Sequence, residues 1–90
     1  MGDAHDESLL EFPCRFPIKM MGRDSEPFRR AAIELVEQHV GTIPDDSITM
    51  SSSRKGTFLS ITVTITAESR DQLDRIYQAL TDHEEVLVAL

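Results

Sequence analysis

The sequence predicts an α+β domain of the ferredoxin-like type, with two helices on one face of a four-stranded antiparallel sheet. Apolar residues alternate in three runs, recur at helical spacing in two others, and end the chain in a short apolar run. The resulting order, β-α-β-β-α-β, has no internal repeat and is the order of this fold. At 90 residues we expect a single domain over residues 9–90, after a disordered polar tail over residues 1–8.

The first half of the chain predicts a strand followed by a helix. Residues 16–22 alternate between apolar and other side chains. Pro17 cannot donate to a sheet ladder, so we expect the paired part to begin near Ile18. Ser25 is a favourable helix N-cap, and Gly41 supplies the C-terminal stop. An apolar stripe at helical spacing lies between these two residues.

The second half predicts a hairpin, a second helix and a short final strand. A short strand leads through the turn at Arg54–Gly56 into a long strand over residues 59–66, whose apolar residues share one face. Ser69 and Gln72 form a capping box for the helix, and residues 86–90 close the sheet. We expect the strand order 4-1-3-2. The predicted core consists of Leu59, Ile61, Val63, Ile65, Leu35, Val36, Leu73, Ile76 and Leu80.

Composition excludes several classes of function. The chain has 16 acidic and 9 basic residues, so its net charge of −7 repels polyanions at long range. No apolar run reaches the roughly 18–20 residues of a membrane span, and the N-terminus lacks the apolar centre of a secretory signal. One cysteine, Cys14, fits a reducing compartment. We expect a small acidic cytoplasmic protein without a membrane segment.

No pattern indicates catalytic, metal or cofactor chemistry. His5, His39 and His83 are far apart and fall on different predicted elements, and Cys14 has no CxxC partner. Hydroxyl residues are abundant, but no motif joins one of them to a base. We therefore expect no enzymatic activity, no bound metal and no cofactor.

The Lys55-Gly56 pair before the long strand partly matches the signature of RNA-recognition domains. That signature continues with aromatic residues on which bases stack, but Thr57 and Leu59 occupy those positions here. The face away from the helices would carry one aromatic residue, Phe58, among hydroxyls, and stacking contributes about 1–3 kcal/mol per base. A phosphate loop would need more glycine and a following helix. Binding of single-stranded RNA through the sheet face is therefore the alternative function.

Several segments together resemble the YbeD family of small bacterial proteins. The segments that carry the resemblance, in chain order, are LLEFP, KMMG, SSRKG followed by SITVTITA, and IYQAL. A terminal apolar strand completes the set, and the match covers the chain from about Glu7 to Leu90. The resemblance implies an ACT-like fold, similar to the regulatory domains of metabolic enzymes, and a molecular role that is not established. It implies no catalytic residues.

Three loops are expected to meet at one end of the sheet, namely residues 22–25, 54–56 and 82–85. The N-terminus of the first helix points into the same region, and ACT-like domains typically bind effectors near this junction. The candidate site for a ligand or partner consists of Arg23, Ser25, Arg54, Lys55 and Gly56. The alternative interpretation is that opposite charges there screen one another, contributing about 0–1 kcal/mol per pair.

Two apolar segments are candidates for contacts with other chains. The arm formed by Leu9, Leu10 and Phe12 either covers part of the core or docks on a partner. Residues 86–90 are apolar on both faces and lie at a sheet edge, a position that proteins usually protect. We expect a homodimer, or a covering of this edge by the arm. Together these features predict a regulatory or adaptor module that binds a protein partner or a small anionic metabolite.

Overall fold

The computed structural model describes residues 10–90, so the predicted tail and Leu9 lie outside the described residues. The elements, in chain order, are β1 Cys14–Arg23, α1 Glu26–Val40, a 3-10 turn Asp45–Ser47, β2 Ile48–Ser52, β3 Phe58–Ala67, α2 Arg70–Asp82 and β4 Val88–Ala89. The strands form one antiparallel sheet in the order β2-β3-β1-β4. The ferredoxin-like fold is therefore confirmed, with the long β3 in the interior of the sheet as predicted.

The two central strands, β1 and β3, are paired in register over their whole length. Cys14 lies opposite Ala67 at one end of the pair, and Arg23 lies opposite Phe58 at the other. Side chains alternate between the two faces of a sheet, so every second residue of each strand points towards the helices. The buried hydrophobic side chains of this inner face are those of Ile18, Met20, Leu59, Ile61, Val63, Ile65 and Ala67.

The pairing of β1 begins at Cys14, earlier than the predicted start near Ile18. The reason lies in the direction of the backbone groups. The N–H of Lys19 donates to the carbonyl of Leu90 at 3.2 Å. The backbone N–H groups of the odd-numbered residues of β1 therefore face β4 and point away from β3. Pro17 is two residues away and faces the same side. Its missing N–H therefore removes nothing from the ladder between β1 and β3.

Helix α1 begins and ends where the sequence predicts. The Ser25 hydroxyl accepts a hydrogen bond from the N–H of Phe28 at 3.3 Å. At the other end, the N–H of Gly41 donates to the carbonyl of Glu37 at 2.8 Å. The first bond gives a partner to a backbone N–H at the start of the helix, and the second gives one to a backbone carbonyl at its end. Phe28 is also fully buried, so the first turn of α1 is held in the core.

The capping residues of α2 also connect the two helices. The Ser69 hydroxyl accepts from the N–H of Gln72 at 3.1 Å, as the capping box predicts. The Gln72 side chain accepts from the N–H of Glu68 at 2.8 Å, one residue before the cap. Its amide nitrogen donates to the carbonyl of His39 at 3.3 Å. One side chain therefore joins the start of α2 to the end of α1.

The core lies between the helices and the inner face of the sheet. The predicted contributions from α2 are all buried, and so is Val36 of α1. Leu35 is instead half-buried at the margin of this core. The buried positions of α1 are Phe28, Ala31, Ala32 and Val36. The helix presents this stripe because its positions recur at three- and four-residue intervals.

The short β4 lies at the sheet edge, as predicted, and pairs with Met20 and Met21 of β1. Leu10 and Phe12 of the arm are half-buried against the core. They precede the opposite end of β1, about 20 Å of extended strand from the position where β4 pairs. The described part of the arm therefore covers the core and does not cover β4. Formation of a homodimer stays a prediction.

Truncation of Ile61 tests the assignment of the inner face. This residue is 0% exposed in the middle of β3. We expect Ile61→Ala to lower the free energy of unfolding by about 2–5 kcal/mol, because it leaves a cavity in the core. The next residue, Thr62, points outwards, so Thr62→Ala should change stability by only about 0.5 kcal/mol. Urea denaturation measures both, and a larger loss for Thr62→Ala than for Ile61→Ala would reverse the assignment.

Tyr77 provides a test of how the chain end is packed. It is the single tyrosine of the chain, and its hydroxyl donates to the carbonyl of Leu90 at 2.6 Å. Burial raises the pKa of Tyr77 above its ordinary value of 10.0. The folded chain therefore holds the phenolic proton more tightly than the unfolded chain does. This contribution to stability is complete below the unfolded pKa and is lost as the pH rises through the folded pKa.

Ultraviolet titration of the tyrosinate should show one transition, at a higher pH in the folded chain than in the urea-unfolded chain. In Tyr77→Phe, the alkaline loss of stability that belongs to this group should disappear. The variant should also lose about 0.5–1.5 kcal/mol at neutral pH with the hydrogen bond. Equal transitions in folded and unfolded chains would show that Tyr77 is not packed against Leu90.

Candidate functional site

The β1–α1 junction and the β2–β3 hairpin are joined by two hydrogen bonds. The N–H of Asp24 donates to the carbonyl of Thr57 at 3.0 Å. The hydroxyl of Ser52 donates to the second carboxylate oxygen of Asp24 at 3.4 Å. Two of the three loops of the candidate site are therefore in direct contact.

The third loop, which precedes β4, lies against the other side of the junction. The backbone of Glu85 approaches Gly22 so closely that a Cβ there would lie 2.6 Å from its carbonyl oxygen. Arg23 lines a shallow depression together with Glu84 and Glu85. Gly22 pairs with Leu59 inside β1, so the strand continues one residue beyond the predicted range of 16–22. Its lack of a side chain is what admits the third loop. We call the region where the three loops meet the loop end.

Ser25 and Gly56 have structural roles at the loop end. The Ser25 hydroxyl caps α1. Gly56 has φ of 73°, a left-handed conformation that favours glycine, and its N–H donates to the carbonyl of Ser53 at 2.9 Å. These two residues hold the loops in position. The charged groups that can contact a ligand are those of Arg23, Arg54 and Lys55.

The nine basic residues of the chain fall into two groups. Four lie on the helices, and each is within 4.0 Å of a carboxylate. These pairs are Arg29 with Asp24 and Glu26, Arg30 with Glu26, Arg70 with Asp74, and Arg75 with Asp71. The other five form no ion pair within residues 10–90. They are Arg15, Lys19, Arg23, Arg54 and Lys55.

This division bears on the predicted screening of charges at the loop end. Within the described part of the chain, the acidic loop at residues 82–85 forms no ion pair with Arg23, Arg54 or Lys55. The nearby carboxylate of Asp24 is engaged by Arg29 and by the Ser52 hydroxyl. The three cations therefore keep their donors available for carboxylate or phosphate groups.

The outer face of the sheet carries cations that the sequence analysis did not single out. Arg15, Lys19 and Arg23 occupy every fourth position of β1, all on the face away from the helices. The outer face was predicted from the hydroxyl residues of β2 and β3, which do lie there. The sequence does contain a signal for these three cations. All three have odd numbers within one strand, and residues separated by an even number of positions lie on the same face.

A large cavity lies at the opposite end of the sheet from the loop end. It is a groove of about 520 Å³ bounded by the end of α1, the following loop, the end of β3 and the start of α2. Its polar walls include Arg15, His39, Glu68 and Gln72. The groove has no signal in the sequence because its walls come from separate segments that share no motif. His39 lies in the last turn of α1, and its Nδ1 is 3.0 Å from the carbonyl of Leu35.

Residues 10–90 offer little other site chemistry. Among them, no three His, Cys, Asp or Glu side chains converge in a way that could hold a metal ion. Cys14 is half-buried and free. Neither helix of this part is long and apolar enough to span a lipid bilayer. What the described side chains do provide is a set of accessible cations, which can bind anionic groups by charge-assisted hydrogen bonds.

Comparison with known proteins places the chain in a family. The sequence profile of a family described as proteins of unknown function, DUF493, matches residues 7–90. The chain belongs to this family. The UPF0250 protein NE1487 of Nitrosomonas europaea is 45% identical over 85 residues, which cover 94% of this chain and 98% of that protein. A UPF0250 protein of Chromobacterium violaceum is 42% identical over 90 residues, the full length of both. The predicted resemblance to the YbeD family is thereby confirmed.

A solved structure supports the fold independently. The solution structure of protein HP0495 from H. pylori matches with a TM-score of 0.64 and 17% sequence identity. The match covers 90% of this chain and 85% of the other. At this identity the likeness concerns the fold alone, and the family carries no assigned activity. Function has to be inferred from the surface chemistry of the chain itself.

Substitution of Gly22 tests how the loop end is held together. A Cβ at this position would lie 2.5 Å from Cδ1 of the buried Phe28 and 2.6 Å from the carbonyl oxygen of Glu85. We expect Gly22→Ala to lower the free energy of unfolding by about 1–3 kcal/mol, because both neighbours must move. Ser60→Ala, on the outer face of β3, is the control and should be nearly neutral.

The same variant should also change the backbone chemical shifts of the loops at residues 23–25 and 84–87. Stability within about 0.5 kcal/mol of the wild type, with unchanged shifts in both loops, would show that Gly22 does not set their approach.

Proposed function

We propose that this chain is a non-enzymatic regulatory or adaptor module whose loop end binds an anionic group. The group belongs either to a small metabolite that carries carboxylate or phosphate, or to the acidic surface of a protein partner. One observation carries this proposal. In a chain of net charge −7, the loop-end cations Arg23, Arg54 and Lys55 form no ion pair with any described residue.

The energetics favour recognition of an anion by these residues. A hydrogen bond to a charged group contributes about 1.5–3 kcal/mol, more than a bond between neutral groups. The N-terminus of α1 adds roughly half a positive charge to the same region. The net negative charge of the chain opposes long polyanions, so a compact anion or a local acidic patch fits better than a nucleic acid.

The form of the loop end supports binding rather than catalysis. The depression beside Arg23 is shallow and is lined by Glu84, Glu85 and Leu87. Catalytic sites commonly exclude water in order to strengthen electrostatic interactions, and this region is open to solvent. The Ser52 hydroxyl donates to the Asp24 carboxylate there, but the contact is long, at 3.4 Å, and Arg29 already engages that carboxylate, so the pair is a poor nucleophile and base.

Paired substitutions test the proposal against a control of equal charge. The probes are inorganic phosphate, citrate, nucleoside monophosphates and a short polyglutamate peptide, each titrated against the isotope-labelled chain. Binding should shift the backbone signals of Arg23, Arg54 and Lys55. We expect Arg54→Ala to weaken it by about tenfold or more, with little loss of stability because the residue lies in an exposed turn.

Arg70→Ala removes the same charge from α2 and should leave binding nearly unchanged. Equal weakening by both substitutions would mean that only the overall charge matters. Signals that move solely in the groove around His39 and Gln72 would place the anion site there and refute the loop-end assignment.

A further inference from the structure

We infer that the outer face of the sheet is a docking surface for a protein partner that presents an acidic segment with an apolar anchor residue. This surface extends beyond the loop-end site, so an experiment can exclude one of the two and leave the other standing. The first observation is the distribution of charge. The chain has 16 acidic residues, yet none lies in a strand of the sheet that residues 10–90 form. The outer face is therefore cationic and hydroxyl-rich in an otherwise acidic protein.

The cations of this face form a regular column. Arg15, Lys19 and Arg23 follow one another at every fourth residue of β1, which corresponds to about 13 Å between neighbours. Lys19 and Arg23 form no ion pair or side-chain hydrogen bond with a described residue. Arg15 makes one long bond, from a guanidinium nitrogen to the Thr66 hydroxyl at 3.4 Å. Carboxylates spaced along an extended partner segment would complement this column.

An apolar patch lies beside the middle of the column. Met21 is 41% exposed, Val88 43% and Leu90 72%. Together with Lys19 they border a depression of about 150 Å³. An apolar cavity of this size accommodates a benzene ring, so the depression is large enough for one leucine or phenylalanine side chain. Apolar centres within a charged rim are the common arrangement of protein–protein interfaces.

The same face is poorly suited to single-stranded nucleic acid. Its one aromatic side chain, Phe58, lies under the guanidinium of Arg23, at 5.9 Å from the ring centroid. The neighbouring positions of β3 are Ser60, Thr62 and Thr64, which provide no surface for base stacking. The bases of RNA also carry no alkyl group that could fill the depression beside Met21. The apolar patch therefore distinguishes a peptide partner from RNA, although both are anionic.

A second copy of the chain is also disfavoured as the occupant. In a two-fold symmetric contact the same surface is used by both copies. Such a contact between two outer faces would bring the columns of Arg15, Lys19 and Arg23 together. Like charges at an interface suppress association. A two-fold contact through this face is therefore disfavoured, and an acidic segment of a different protein complements the column better.

Selection of short random peptides displayed on phage tests this inference even though the partner is unidentified. The full chain is immobilised, and enriched peptides are synthesised with a fluorescent label for anisotropy titration. We expect enriched peptides to be acidic and to contain a leucine, isoleucine or phenylalanine. Their binding should shift the signals of Lys19, Met21 and Thr62 in the labelled chain.

Two variants of equal charge provide the quantitative comparison. Lys19→Glu should weaken binding of the selected peptides by about tenfold or more, because it reverses the central charge of the column. Arg70→Glu makes a charge change of the same size on α2 and should have little effect. Met21→Ser should also weaken binding while leaving every charge in place.

Several results would overturn the inference. One is a selection that enriches no peptide, or only neutral and basic peptides. Another is that Lys19→Glu and Arg70→Glu weaken peptide binding equally. A third is that an oligouridylate binds more tightly than any selected peptide. Concentration-dependent self-association that Lys19→Glu abolishes would assign the face to a second copy. Peptides that shift only Arg54 and Lys55 would also refute it, while supporting the loop-end site.

Discussion

The structure depends on the in-register pairing of β1 with β3 over ten residues. A slip of one residue would move every side chain of a strand to the other face. It would place Lys19 in the core and expose Met20, which is 1% accessible in the native arrangement. The burial of one face therefore fixes which residues lie on the other. Arg15, Lys19 and Arg23 share the outer face because the residues of opposite parity, Ile18 and Met20 among them, are packed in the core.

The two proposed surfaces meet at Arg23. This residue ends β1, lies over the Phe58 ring on the outer face, and borders the depression formed with the loop before β4. A ligand at the loop end and a partner on the sheet would both contact its guanidinium or the residues beside it. Two such ligands would either compete or assist one another. A regulatory module requires a coupling of this kind between an effector and a partner.

Much of the fold could be predicted because local signals and the overall pattern agree. The caps at Ser25 and Ser69 and the alternation in β3 are short-range features, and each appears in the structure. The start of β1 was predicted wrongly because the effect of Pro17 depends on which flank of the strand carries a neighbour. That information belongs to the whole sheet and is absent from the local sequence.

The site was harder to predict than the fold for a related reason. The topology alone brings three loops to one end, so their proximity follows from the order of the elements. Whether Arg54 or Arg29 has a carboxylate partner depends on side-chain positions that neither spacing nor composition reveals. Only the structure separates the paired cations of the helices from the unpaired ones of β1 and the hairpin turn.

Pro17 has a consequence for how the protein avoids aggregation. Within residues 10–90, the end of the chain pairs with β1 only at Lys19, Met20 and Met21, so residues 14–18 have no neighbouring strand on that flank. An exposed strand edge is a template for further strands and, in the extreme case, for fibrils. An incoming strand would find no donor at Pro17 and would meet the charge of Arg15 two residues away. Pro17 thus disfavours the addition of another strand at this edge of the sheet and leaves the pairing of β1 with β3 intact.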